Sequence, residues 1–140
     1  MRAVILSAGF AMRLQPLTEN LPKSLLPFRE RKVIDEQLRC LAEAGFKTVS
    51  ILTNQKFCSA MEEWRSELSS TLEVRIINNG VADEKESRGS IGDLAFFIEE
   101  TKPEEDLFIL GSDNLFEDSF SGIISFYRKI SSTVIAIHKK

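Results

Sequence analysis

Apolar positions along this chain follow two rhythms. Dense runs of branched apolar residues at 3–6, 48–53, 73–77, 107–110 and 133–137 predict strands. Between them the spacing is helical. Ile34, Leu38 and Leu41 form one stripe, with Gly45 as the expected stop, and Phe57, Met61, Trp64 and Leu68 form a second. Ile91, Leu94, Ala95 and Ile98 mark a third, and Phe120, Ile123, Ile124, Tyr127 and Ile130 a fourth, with Asp118 or Ser119 as its N-cap. All four stripes are expected to face the core. Strands alternating with amphipathic helices predict a three-layer α/β/α fold with a mostly parallel, Rossmann-like sheet.

Length and charge narrow the reading. The chain of 140 residues suits one domain, 1–140, large enough to bury a core without disulfide staples. Its net charge is −3 and it has no basic block, which argues against nucleic-acid binding. No apolar run approaches the ~20 residues that span a bilayer, and the first residues lack the pattern of a signal peptide. Cys40 and Cys58 fall in helical patterns without C-x-x-C spacing, as expected of reduced packing cysteines in a cytoplasmic protein. The polar connection at 78–88 is long enough to be a binding loop or a mobile one. Its cluster Asp83-Glu84-Lys85-Glu86 is expected to be solvated surface.

Chemistry gathers after the first strand. Val4-Ile5-Leu6 opens into Ser7-Ala8-Gly9, followed by Arg13 and then Pro22-Lys23-Ser24. Small residues let main-chain N–H groups approach anionic oxygens, and Arg13 and Lys23 add charge, so the segment suits a phosphate site. Pro16, Pro22 and Pro27 stiffen it. After the fourth strand, Gly111-Ser112-Asp113-Asn114 places a carboxylate at the sheet edge where ligands of open α/β folds sit. Asp113 is either a metal ligand or part of a simple turn. Gly89 and Ser90 are open to two compatible readings, as a turn and N-cap or as ligand contacts. The one histidine, His138, is not matched to a Ser or Cys in a nucleophilic arrangement. Neither a P-loop nor a G-x-G-x-x-G dinucleotide fingerprint is present.

The run A-G-x-x-x-R-L-x-P-L-T at 8–18, followed by P-K-x-L-L-P at 22–27, resembles the N-terminal signature of the sugar-phosphate nucleotidyltransferases, also called nucleotide-sugar pyrophosphorylases. Ala11 stands where that signature usually has a second Gly, so a close approach is kept while a left-handed turn is disfavoured. Met12 stands where a hydroxyl is common. Arg88-Gly89-Ser90-Ile91-Gly92-Asp93 is similar to the family's L-G-T-A-G-A segment, and G-x-D-N at 111–114 to its metal-binding segment.

The resemblance implies transfer of a nucleotidyl group from a nucleoside triphosphate to a sugar 1-phosphate, or a similar small phosphate ester, with release of pyrophosphate. It implies Arg13 and Lys23 as catalytic residues and Ala8, Gly9, Gly89, Ser90 and Gly92 as nucleotide contacts. Asp113 would be the ligand of Mg²⁺. The acceptor-binding part that follows in the family is not found in 1–140. Two alternatives stand beside this one: an NTP- and Mg²⁺-binding regulatory or assembly module that does not turn over, and a chain whose exposed apolar surface forms a homo-oligomer.

Overall fold

The structure is a computed structural model that describes residues 1–116 and 119–137. In chain order its elements are β1 (Arg2–Ser7), β2 (Pro27–Phe28), β3 (Arg31–Lys32), α1 (Val33–Glu43), β4 (Thr48–Thr53), α2 (Cys58–Glu67), β5 (Glu73–Asn78), α3 (Gly89–Thr101), β6 (Leu107–Gly111) and α4 (Ser121–Ile130). Strands β5, β4, β1 and β6 lie side by side in that order, all parallel, while β2 and β3 form a separate antiparallel hairpin. From β1 the chain moves outward to β4 and β5, then crosses back to place β6 on the other flank of β1. The direction of winding therefore reverses between β1 and β6, where a crevice opens at the carboxyl ends of the strands.

The period of two in each strand sorts side chains into two layers. Ala3 and Ile5 of β1, with Val49, Ile51, Val74 and Leu110, face the stripes of α1, α2 and α4, through Ile34, Leu38, Leu41, Met61, Trp64, Phe120 and Ile124. Val4 and Leu52 face the opposite way, onto Phe97 of α3. Two layers of helix thus enclose a parallel sheet, as the hydrophobic pattern predicts. Full burial of a side chain such as Phe97 contributes about 1.5–3 kcal/mol.

Gly45 ends α1 as expected. It holds φ +88, and the N–H groups of Gly45 and Phe46 donate to the carbonyls of Ala42 and Leu41, closing the last turn of the helix. At the other end, the Asp35 carboxylate accepts from Lys32 N–H at 3.2 Å and from Trp64 Nε1 at 2.9 Å, tying the start of α1 to α2.

Four expectations need correction. Residues 133–137 form no strand: they pair with no described strand, and Ile135 and Ile137 are 80% and 87% exposed. Their β-branched residues favour extended backbone, but a strand needs a partner for its N–H and C=O groups. The stripe expected for α3 also turns outward. Ile91 is 81% exposed, and the positions facing in are Asp93 and Phe97, one turn apart. Phe97 fills the space over Val4 and Leu52, and Asp93 is held in by Asn79 Nδ2 at 2.8 Å.

Ala11 is the third case. It takes the left-handed conformation, φ 49° and ψ 39°, that its side chain disfavours. Its carbonyl accepts from the Leu14 N–H at 2.9 Å and from the buried Thr18 hydroxyl at 2.8 Å, which holds it there. Lastly, α4 has Phe120 at its N-cap position, not Ser119; the Ser119 hydroxyl accepts from Ser121 N–H at 3.2 Å. Asp118 and His138 lie outside the described residues.

Candidate functional site

Buried polar residues set the geometry of the sheet's carboxyl edge. After β1 the chain passes through Ala8, whose carbonyl accepts from the Asn54 side chain at 2.9 Å. Asn54 is fully buried, and its own side-chain oxygen accepts from Phe57 N–H at the start of α2. Gly9 follows, exposed, with open space where a side chain would stand. The chain then turns at Ala11 into a 3₁₀ turn, Met12–Leu14, that carries Arg13 on its exposed face.

Lys23 arrives differently. It opens a second 3₁₀ turn, Lys23–Leu25, in which Ser24 and Leu25 are buried. The Ser24 hydroxyl is bonded to that of Ser7, at the end of β1, across 2.8 Å. Lys23 is thus carried on an anchor in the core while its ammonium stays near solvent. It donates to Asp113 Oδ2 at 3.0 Å. The two residues assigned separately as cation and metal ligand, 90 positions apart, therefore meet.

Asp113 sits in the turn after β6, beside the end of β1, where Ser112 N–H donates to the Leu6 carbonyl at 3.1 Å. The turn is compact: a side chain on Gly111 would come within 3.0 Å of Asn114 Nδ2 and 3.3 Å of Asp113 Oδ1. Gln37 of α1 holds it from below, one amide nitrogen donating to the carbonyls of Gly111 and Asn114, both at 2.8 Å. The amide oxygen of Gln37 is buried and has no partner among the described residues. Two hydrogen bonds contribute about 0.5–1.5 kcal/mol each, and one orphaned acceptor costs about 1–3, so the terms nearly offset.

A cleft of about 280 Å³ is lined by Ala11, Met12, Arg13, Leu14, Lys23 and Glu84. Arg13 makes no ion pair with the described residues, so its guanidinium is free to meet an anion. Glu84 comes from the charged cluster expected to be solvated surface. It lies in a 3₁₀ turn, Glu84–Glu86, and brings a carboxylate to a cleft that holds two cations. A larger cleft of about 530 Å³ lies between α1 and α2, lined by Arg31, Asp35, Arg39 and Trp64 among others. None of the candidate site residues read from the sequence lines it, so size alone does not mark the site.

Gly89, Ser90 and Gly92 do not line the cleft with Arg13 and Lys23. They form the first turn of α3, reached along the sheet edge through Asn79, whose N–H donates to the Thr53 carbonyl and whose amide holds Asp93. Gly89 has φ +66, a conformation that suits glycine, and Ser90 is exposed without capping the helix. Gly92 has a packing role: a side chain there would lie 2.8 Å from Arg88 Cβ, and Arg88 stacks over Phe96 at 4.7 Å. Asp113, Ala8, Asn54 and Asn79 therefore follow one another across four strands, roughly 14 Å at the usual strand spacing. That length separates a charged end, beside β1 and β6, from a glycine-rich end at α3.

Among the described residues no three His, Cys, Asp or Glu side chains come together to hold a metal ion. Asp113 alone, half-exposed, fits a hard cation that brings phosphate and water oxygens as most of its shell. Cys40 and Cys58 are free, and burial pushes both thiols up, which argues against a nucleophilic role. Among the described residues, no helix is long and apolar enough to cross a membrane.

A parallel α/β sheet with Arg13, Lys23 and a carboxylate gathered at its switch point has the form of a nucleotide-binding α/β fold. Residues 2–140 match the Nucleotidyl transferase family, and the chain belongs to it. Mannose-1-phosphate guanyltransferase beta-B of Xenopus laevis is 33% identical over 129 residues, 91% of this chain and 35% of that protein. Mannose-1-phosphate guanyltransferase of Schizosaccharomyces pombe is 30% identical over 132 residues, 91% of this chain and 34% of the relative. Among solved structures, UDP-glucose pyrophosphorylase from Acinetobacter baumanii superposes with a TM-score of 0.76 at 18% identity, over 94% of this chain and 53% of that one. The structure of UDP-glucose pyrophosphorylase complexed with UDP-glucose gives 0.75 at 18%, over 93% and 54%. These structures share the fold. The chain spans about a third of the length of the curated relatives it matches.

Sequence reasoning missed the anchors. Asn54, Gln37, Thr18 and the Asn79–Asp93 pair are buried polar groups that hold site backbone or the segments beside it; Thr18 and Asp93 lie inside the family motifs but without an anchoring role assigned, and no motif marks Asn54, Gln37 or Asn79. A polar residue inside an apolar stripe, as at Gln37, was the available signal.

Proposed function

We propose that this chain serves nucleotidyl transfer from a nucleoside triphosphate to a sugar 1-phosphate or a similar small phosphate ester, with pyrophosphate released. The observation that carries the reading is the meeting of Lys23 with Asp113 beside the cleft that holds Arg13. The names of the relatives add support, since each describes guanylyl transfer to mannose 1-phosphate.

In this reading an acceptor phosphate oxygen forms a bond to the α-phosphorus. The bond from that phosphorus to the bridging oxygen of the β-phosphate breaks, and pyrophosphate leaves with the electron pair. No general base is needed, because a phosphate monoester loses its second proton near pH 6. Arg13 neutralises the leaving pyrophosphate and Lys23 orients the reacting phosphates. Ala8 and Gly9 contact the phosphates and Gly89, Ser90 and Gly92 the base end. A Mg²⁺ held by Asp113 would add charge neutralisation at the phosphates. The free thiols of Cys40 and Cys58 support a reducing, cytoplasmic setting.

The test measures pyrophosphate release with a panel of nucleoside triphosphates, GTP included, against mannose 1-phosphate, other sugar 1-phosphates and phosphocholine. The expected result is Mg²⁺-dependent nucleotide binding by residues 1–140, weakened in Asp113→Ala, with release very slow or absent unless the family's acceptor-binding part is joined to them, when it is restored for at least one pair. Binding without release by the joined protein would favour the regulatory module. Absence of nucleotide binding, or release that ignores Asp113→Ala, would overturn the reading.

A further inference from the structure

We infer that Gln37 is a positioning residue for Asp113: its side-chain amide sets where the carboxylate stands, and through it the affinity of the site for a divalent cation presented with a nucleotide. The inference rests on the assignment of Asp113 as the metal ligand. Gln37 lies on the inward face of α1 beside Ile34, Leu38 and Leu41 and is 1% exposed, a place where helical periodicity calls for an apolar side chain. Its amide oxygen has no partner among the described residues, so the gain from its two hydrogen bonds is largely offset and stability does not explain the residue.

What the amide does is spatial. Its two N–H groups diverge onto carbonyls three residues apart, Gly111 and Asn114, and so fix both ends of the turn that contains Asp113. The backbone of that turn is tied to β1 by Ser112 N–H on Leu6. The crowding of Asp113 Oδ1 and Asn114 Nδ2 about Gly111 leaves little freedom inside the turn, so its orientation depends on these ties. A group one step removed from a metal ligand commonly changes metal affinity 10–100-fold when lost. Gln37 touches neither phosphate nor metal in this scheme and acts only through the turn.

The experiment compares Gln37→Leu and Gln37→Met, both close in volume and without the amide, with the parent chain. Calorimetry with GTP is run in Mg²⁺ and in EDTA, and circular dichroism establishes that each variant is folded. The expected result is a fall of roughly 10-fold in the affinity gained from Mg²⁺, with affinity in EDTA unchanged. A folded variant that keeps the whole gain, or that loses equally in both conditions, overturns the inference. A parent chain that gains nothing from Mg²⁺ overturns the metal assignment itself, and the inference with it. Should neither variant fold, the side-chain amide signals of Gln37 in the parent decide by NMR. They are expected to shift when Mg²⁺ is added to the GTP-bound chain, and signals that stay still overturn the proposal.

Discussion

Replacing Ala11 with glycine is expected to stabilise the chain. Ala11 holds φ 49° and ψ 39° at the entry to the turn that carries Arg13, and an L-residue in this region costs about 1–2 kcal/mol. Glycine relieves that strain because it lacks a Cβ. The gain is reduced by the extra freedom glycine gives the unfolded chain, about 0.4–1 kcal/mol. The Thr18 hydroxyl and the Leu14 N–H bond the backbone carbonyl of residue 11, so neither hydrogen bond is lost. A net gain of about 0.5–1 kcal/mol remains, which for a chain of this size raises the melting temperature by roughly 2–4 °C. Ala11→Val, β-branched at the same positive φ, should instead lower it by at least as much. Thermal unfolding followed by circular dichroism reads both variants. A glycine variant that melts at or below the parent would refute the argument, because the left-handed turn would then not be the state populated in solution.

Lys23→Ala should reduce nucleotidyl transfer by roughly 100-fold while changing stability by less than about 1 kcal/mol, since its pair with Asp113 is solvent-exposed; steady-state kinetics beside urea unfolding would expose a structural role as a large loss of stability with activity retained. Glu36 accepts a hydrogen bond from Arg39, which with the nearby charges of Arg39 and Arg31 holds its carboxyl below the usual Glu range. Its folded pKa is depressed, so its contribution to stability is full above the unfolded value of about 4.3 and is lost as pH falls through the folded one. The stability gap between the parent and Glu36→Gln should accordingly narrow on acidification below pH ~4, and a gap that is constant with pH would count against the pairing.

The sequence carried the strands and the first two helices because each is specified by its own neighbours. Ala3 and Ile5 alternate with Val4 and Leu6, and Phe57, Met61 and Trp64 recur at helical spacing whatever lies around them. It failed where tertiary partners decide. Ile91 and Ile98 have helical spacing, yet Phe97 is the residue that finds Val4 and Leu52 across the sheet. Residues 133–137 have strand propensity, and propensity does not supply a neighbouring strand. The exposed candidate residues Arg13, Lys23 and Asp113 stood out as a motif because the chemistry of phosphate restricts the residue types that suit it. Their supports did not, since a buried Asn or Gln is informative only once its carbonyl partners are located, 46 residues away for Asn54 and 74 and 77 for Gln37.

The pairing of Lys23 with Asp113 also bears on how the site accepts its ligand. Two cations, Arg13 and Lys23, and two carboxylates, Asp113 and Glu84, are gathered at the cleft, so the resting site is close to neutral. Such a balance keeps each charge solvated or paired and avoids the cost of isolated charge. In the proposed reaction, a triphosphate arriving with a divalent cation would offer each side a stronger partner, phosphate oxygens for Lys23 and Arg13 and the metal for Asp113. Because the Lys23–Asp113 contact is half-exposed and contributes no more than about 1 kcal/mol, exchanging it costs little. A buried pair would resist this exchange, since each separated ion would have to be compensated in a low-dielectric surrounding. The exposed placement of Lys23 and Asp113, above buried anchors at Ser24 and Gln37, thus combines fixed position with partners that can be traded.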